Sequence, residues 1–570
     1  MTRHDQTSAD TNIAVRAATG VLAAAGLIAV VTLAARIFGF GRSLAFSQSV
    51  GTTCVGSVYQ AANQLPNVVY EVAAGGVLAA VVVPIIAGQL ARQNQIEAAR
   101  TASAMLTWTL VVLVPMSILM AVSARQLSTF LVNNQQCAGS TDLMTSMLVV
   151  FSPQIALYGA GIVLSGVLQA HRRFLGVVVA PLLSSLVVIA TYLLFGTLAQ
   201  GKGNDLSRLP SQASTTLAVG TTLGVTALSL SLLIPIHRAG IRLRPAWTFP
   251  DGVARRARAL AGAGLIALVA QQGAVLVTLW VSQHRGGTGT LNVYIYVQAI
   301  YLLPYAVLAV PFAMSALPAL ATGLDQAVLA VGPDQAVLAV GPDRLALTRA
   351  RSTLASSARA IIVATSAGAA VLFAIAVPAG AFFSALDAGR RSPDGRDALA
   401  ALPSALSAFA PGLIGFGMAA LLTRALYVQG RPAVAGGLVA LGWFIAALVP
   451  LLVLQPGAGP RNTLLLLGLA SSFGMTVAAI GLFVAVRRVW GAEALRGFGR
   501  TAVVALGAGL FSAIVGRTLA AALHPGGLVG GAVVAVLAAI LVVVLCAFWI
   551  WIGDRQAARL ALAKLPWRPR

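Results

Sequence analysis

Stretches of roughly twenty or more apolar residues recur from one end of this chain to the other, separated by short polar or Gly/Pro breaks. Such a segment crosses the hydrocarbon core of a bilayer as a helix, because a helix pairs its own backbone groups where no water can. The breaks predict fourteen helices, at about 18–41, 54–90, 102–124, 144–168, 174–198, 214–236, 259–282, 291–322, 353–384, 402–427, 433–455, 462–486, 501–521 and 527–552. In 570 residues that leaves no room for a soluble domain. Charged residues make up 9% of the chain, where a soluble protein needs about 25% to cover its surface. The expected fold class is an all-α polytopic membrane protein.

Lys and Arg number 38 against 15 Asp and Glu, a formal net charge of +23. Binding to nucleic acid needs such charge gathered on a soluble face, and here it is scattered through short loops, so no nucleic-acid partner is expected. An even number of helices puts both termini on one side. That side's segments carry 27 of the 38 basic residues and the opposite side 9, the other two being Arg36 and Arg42 in the first helix. The positive-inside rule then places both termini in the cytoplasm. A polar start leading into an apolar run that ends in Leu33-Ala34-Ala35 has the outline of a signal peptide, but its spanning length and the helix that follows favour a retained helix.

Three cysteines are too few for a disulfide scaffold. Cys54 and Cys137 fall in neighbouring outer loops, where a bridge and a pair of free thiols both remain open, and Cys546 falls in the last helix.

Two repeats are visible. DQAVLAVGP at 325–333 recurs unchanged at 334–342, as expected of a duplication in a tolerant loop. At an offset of 258, Phe151, Pro153, Gly159, Leu164, Leu168 and Arg173 meet Phe409, Pro411, Gly417, Leu422, Leu426 and Arg431. The fourth helix thus answers the tenth. The chain divides into a tail (1–17), an N-lobe (18–236), a basic linker (237–258), a C-lobe (259–486), two further helices (487–552) and a basic tail (553–570). Two like-oriented halves are the plan of an alternating-access transporter with its substrate site between them.

Within the predicted membrane segments the acid is Glu71 and the bases are Arg36 and Arg42. Charge at that depth persists only beside a cavity or a partner. Gln60, Gln64, Asn67 and Glu71 fall on one helical stripe with Asn63 beside it, and Pro66, Gly75 and Gly76 interrupt the same helix. The eighth helix repeats the spacing at an offset of 234 with Tyr294, Gln298, Tyr301 and Tyr305. Both stripes are expected to line a central cavity, although polar and aromatic stripes also serve packing. Arg36 and Arg42 suit an anionic, multi-oxygen group such as a pyrophosphate, if Gly39 and Gly41 loosen the turn between them. The alternative pairs Arg36 with Glu71 and lets Arg42 reach the interface. No Walker loop, metal-spaced His/Cys set or Ser/His/Asp constellation is present, so neither enzyme activity nor a cofactor or metal is expected.

AARIFGFGR (34–42), NQLPNVVYEVAAGGVLAAVVVPIIA (63–87), LQAHRRFLGVVVAPLL (168–183), GLIG (412–415) and RALYVQGRP (424–432) resemble the lipid II flippases of the MurJ/MviN group, in the superfamily of multidrug and polysaccharide exporters. The resemblance implies two lobes around a cationic cavity in a bacterial cytoplasmic membrane. It implies export of lipid II, the undecaprenyl-pyrophosphate-linked peptidoglycan precursor, to the outer leaflet. It further implies a lipid-tail groove at helices 13 and 14, and contacts with membrane lipids and cell-wall synthesis proteins. Arg36 and Arg42 match the family's pyrophosphate arginines and Asn67 its LPN motif. Glu71 and Ala299 stand where relatives carry arginine, and Ser57 where they carry an acid. Other readings are export of another lipid-linked saccharide, cation-coupled drug antiport through Glu71, and a non-transporting scaffold.

Overall fold

A computed structural model describes residues 37–133, 135, 137–249, 253–310, 313, 342–388, 393–556 and 559. Among these residues every regular element is helical. The first half comprises α1 (37–49), α2 (Cys54–Tyr70), α3 (Gly76–Ala91), α4 (Gln95–Val122), α5 (Ala124–Leu131), α6 (Ser140–Phe151), α7 (Gln154–Ala170), α8 (Phe174–Leu198), α9 (Ser211–Leu230) and α10 (Leu233–Arg238). The second comprises α11 (Val253–Val281), α12 (Thr290–Pro304), α13 (Pro342–Ala374), α14 (Ala376–Leu386), α15 (Pro393–Ala400), α16 (Leu402–Phe409), α17 (Gly412–Val428), α18 (Pro432–Val453) and α19 (Gly459–Trp490). A final hairpin, α20 (Phe498–Ala522) and α21 (Gly527–Gly553), packs on α13 and α14.

Twelve helical stretches among the described residues are long and apolar enough to cross a membrane, and they coincide with the third to fourteenth predicted helices. The first predicted helix lies mostly outside the described residues, as does the tandem repeat up to residue 341. Its described part, α1, runs to residue 49 instead of stopping at 41. The stop comes at Gly51, whose φ of 69° suits glycine, with the Val50 and Gly51 N–H groups both donating to the Phe46 carbonyl at 2.8 and 2.9 Å. The second predicted helix is split by a π-helical turn, Glu71–Gly75.

The repeat at offset 258 holds residue for residue. α7 and α17 each follow a proline, Pro153 and Pro411, and span corresponding residues. Each ends on a residue with positive φ, Arg172 (57°) and Gly430 (66°), after which Arg173 N donates to Leu168 O at 2.8 Å and Arg431 N to Leu426 O at 2.9 Å. A Cβ at Gly159 would fall on Thr109 and Leu113 of α4, and one at Gly417 on Thr365 of α13. Each glycine therefore admits close packing against the third spanning helix of its own lobe.

The largest buried cluster draws on both lobes, with Phe46, Val55 and Tyr59 from one against Tyr296, Phe383 and Phe409 from the other. Towards the arginine-rich loops each lobe has its own cluster, around Ile86 and Val167 in one and Leu354, Leu426 and Trp490 in the other. The lobes thus share a core at the end that carries Cys54 and hold separate cores at the other, where α3 also lies along α11.

Three arginines that sequence places in loops or at helix ends lie inside spanning helices: Arg359 in α13, Arg424 in α17 and Arg517 in α20. Arg359 is buried, pairs with Asp554 at 3.3 Å and donates through Nε to Thr501 Oγ1 at 3.0 Å. Arg517 donates to Ser407 Oγ at 2.7 Å and lies over the Phe373 ring. Between α10 and α11, residues 241–249 run extended along α4, with Arg244 N on Ser103 Oγ and Ala246 N on Thr107 Oγ1, both at 3.1 Å.

Candidate substrate site

α2 begins at Thr53, whose hydroxyl accepts from Gly56 N at 3.1 Å, and every residue from Cys54 to Ala62 is buried in the core shared by the lobes. From Asn63 onwards the helix emerges. Asn63, Gln64, Asn67 and Glu71 are half-buried and Val72 is exposed, so the polar stripe starts at a sealed end and is only partly covered beyond it. Asn67 Nδ2 donates to the Asn63 carbonyl at 3.1 Å. Tyr70, on the buried side, packs against Tyr158 at 5.5 Å.

The second stripe, on α12, is covered in a different order. Tyr294 and Gln298 are half-buried, while Tyr301 is 5% exposed and lies 5.7 Å from the Phe409 ring. Gln60 is also buried, at 8% exposure. Gln60, expected as cavity lining, therefore sits in the buried first half of α2 beside the seal, and Tyr301, also expected as lining, is covered farther along by Phe409 of α16 in this conformation. At Tyr305 the eighth spanning helix enters its own π-helical turn, Tyr305–Ala309, with the Tyr305 ring 4.4 Å from that of Phe416.

The two π turns occupy equivalent places: Glu71–Gly75 plus the offset of 234 gives Tyr305–Ala309. Their local causes differ. Pro304 supplies no N–H to the preceding turn, and in α2 the flanking glycines allow the wider winding. Each turn frees backbone groups from the regular helical ladder, which a membrane tolerates where they face a cavity or another helix.

Arg42 is exposed on α1, and its charge acts on the hydroxyls of Tyr158 and Tyr192. Neither Arg42 nor Glu71 belongs to an ion pair among the described residues. Arg36 lies outside them. The second lobe brings a cation that sequence reasoning passed over: Arg424 is half-buried on α17 and acts electrostatically on Tyr305.

Sequence reasoning also passed over the residues that close the seal. Thr52 donates to Asp387 Oδ2 through both N (2.9 Å) and Oγ1 (2.6 Å), and Asn292 Nδ2 donates to Gly51 O at 2.8 Å. Gly289 N reaches Ser57 Oγ at 2.9 Å. Beside the seal Cys54 and Cys137 are joined as a disulfide, with Cα atoms 6.0 Å apart. The only hint in sequence is an acid directly after an apolar helix, because several partners are backbone atoms.

This arrangement has counterparts. A solved structure of the lipid II flippase MurJ in an inward closed conformation superposes with a TM-score of 0.67, at 14% identity, over 92% of this chain and 98% of that one. An inward-facing multidrug resistance MATE family transporter of the MOP superfamily gives 0.59, at 14% identity, over 82% of this chain and 99% of that one. At these identities the likeness is one of fold. The probable lipid II flippase MurJ of Rhizobium tropici is 28% identical over 162 residues, so the match spans 28% of this chain and 30% of that relative. The model of the family described as lipid II flippase MurJ matches residues 46–538, most of the two lobes and the hairpin, and the chain belongs to that family.

Proposed function

We propose that this protein carries lipid II from the inner to the outer leaflet of a bacterial cytoplasmic membrane by alternating access. The observation that carries the reading is the pair of polar stripes on α2 and α12, which run from a sealed end to matched π turns within the fold of a family of lipid II flippases. A polar path between two lobes accommodates a charged headgroup while the lipid chains stay in the bilayer. Arg42, with Arg36 nearby in sequence, takes the pyrophosphate. Arg424 supplies positive charge from the second lobe, where Ala299 offers none. The sealed end faces outward and both termini face the cytoplasm, in keeping with the excess of basic residues on the terminus side. No nucleotide site drives the cycle in this reading, so a gradient, the membrane potential or downhill substrate flow does. The α20–α21 hairpin borders the path of the lipid tail.

The test is depletion of the protein in its host, followed by an assay of precursor accessibility at the outer surface. Lipid II should accumulate at the inner leaflet and become accessible again on re-expression. Unchanged accessibility on depletion overturns the reading.

A further inference from the structure

An acid lies buried in the seal. Asp387 follows α14 in the second lobe, is 1% exposed, and accepts both the backbone N–H and the hydroxyl of Thr52 from the first lobe, 335 residues away. Its carboxylate fills the place a Cβ on Gly51 would take, and Gly51 holds the left-handed backbone that carries the chain from α1 to Thr52. Gly51 O in turn accepts from Asn292 of the second lobe, so the short turn 51–53 is held from both sides. The turn is itself braced within the first lobe. Cys54 is tied to Cys137, and Val55 N donates to Gly203 O at 3.0 Å.

We infer that Asp387 is the acid of a reversible latch that holds the sealed end shut by gripping the turn 51–53, and that its release from Thr52 opens that end. A carboxylate suits a contact that must break. In the closed state it is paid for by charge-assisted hydrogen bonds at low dielectric, and in the open state water solvates it, so the two states lie close in free energy. An apolar contact of the same area has no such compensation when exposed. Asp387 is here a positioning residue, acting through the turn 51–53. The inference rests on the alternating-access reading for its role in transport, although the contact itself can be tested without substrate.

Spin labels at Ser207→Cys in the first lobe and Gln455→Cys in the second, in a Cys546→Ala background with the native disulfide kept, report the distance across the sealed end in lipid nanodiscs. Asp387→Ala should raise the ratio of long-distance to short-distance populations by about tenfold, as expected for loss of a charge-assisted contact. Gly51→Ala, which crowds the carboxylate from the other lobe, should act in the same direction, and Thr52→Val, which removes one of the two donors, should act more weakly. Asp387→Asn, which keeps the shape and an acceptor oxygen, should fall between parent and alanine and guards against misfolding of the alanine variant. Distance distributions matching the parent in folded Asp387→Ala or Asp387→Asn overturn the latch. Because no substrate is present, a parent protein that fails to flip lipid II defeats the functional reading and leaves the latch result intact.

Discussion

Arg42 is exposed on α1 and Glu71 half-buried at the end of α2, yet they form no ion pair with each other in this conformation. An exposed guanidinium is free to meet an anion. Arg42→Ala is therefore expected to abolish rescue of a depleted strain at unchanged protein level, since loss of a desolvated charge contact costs about 2 to 5 kcal/mol. Arg42→Lys should restore rescue only in part, because an ammonium cannot make the bidentate contact. Growth with the alanine variant equal to the parent would remove Arg42 from the site. Glu71→Gln keeps the shape and removes the charge. It should leave the thermal midpoint of the purified protein unchanged or higher while slowing lipid II flipping in vesicles, and equal flipping would assign Glu71 a structural role only. The positions of both residues were readable because charge in an apolar run stands out; their separation in this conformation was not, because it depends on how α1 and α2 pack.

At the scale of elements, the equivalence of α7 and α17 was legible down to single residues, because proline starts, glycine contacts and the closing arginine all recur at one offset. Helix ends were less so. α1 continues eight residues past its predicted stop because Gly39 and Gly41, which weaken a helix in isolation, are carried through by burial of Ala45 and Phe46 beyond them. Arg359 reads as a charge near the cytoplasmic end of the ninth predicted helix until Asp554, 195 residues later, folds back onto it. Truncating it leaves the buried Asp554 carboxylate with the Thr501 hydroxyl but without its guanidinium, so Arg359→Ala should destabilise the protein by about 3 kcal/mol, seen as a lower thermal midpoint. The paired change Arg359→Met with Asp554→Leu should recover most of the loss, and no recovery would show that Thr501 and Gln556 carry the contact instead. For the disulfide, non-reducing mass mapping of membranes alkylated before lysis should return Cys54 and Cys137 as one linked peptide. Replacing both with serine should cost about 2 to 4 kcal/mol, as for closure of a long loop. Recovery of both as alkylated thiols would exclude the bridge.

Across the whole molecule, the lobes meet in one core at the disulfide end and part into separate cores at the other. The orientation of this asymmetric body in the membrane follows from its loops. A single added cysteine at Ser207 should react with a membrane-impermeant maleimide in intact cells, and one at Arg488 only after the cells are opened. The reverse pattern would invert the proposed topology and with it the direction of transport.

The sequence by itself determined the membrane class, the third to fourteenth spanning segments, the shift of six helices between the fourth and the tenth, and the polar spacing on the second and eighth helices. These are local quantities: hydrocarbon imposes its demand on each segment separately, and a helix meets that demand within its own residues. Only the tertiary structure decided which end is sealed, that Gln60 is buried beside the seal and Tyr301 against Phe409, and that Asp387 grips Thr52 and Arg359 grips Asp554. Each of these depends on the mutual packing of residues far apart in the chain, and several depend on backbone atoms, which are the same in every sequence and announce nothing in this one.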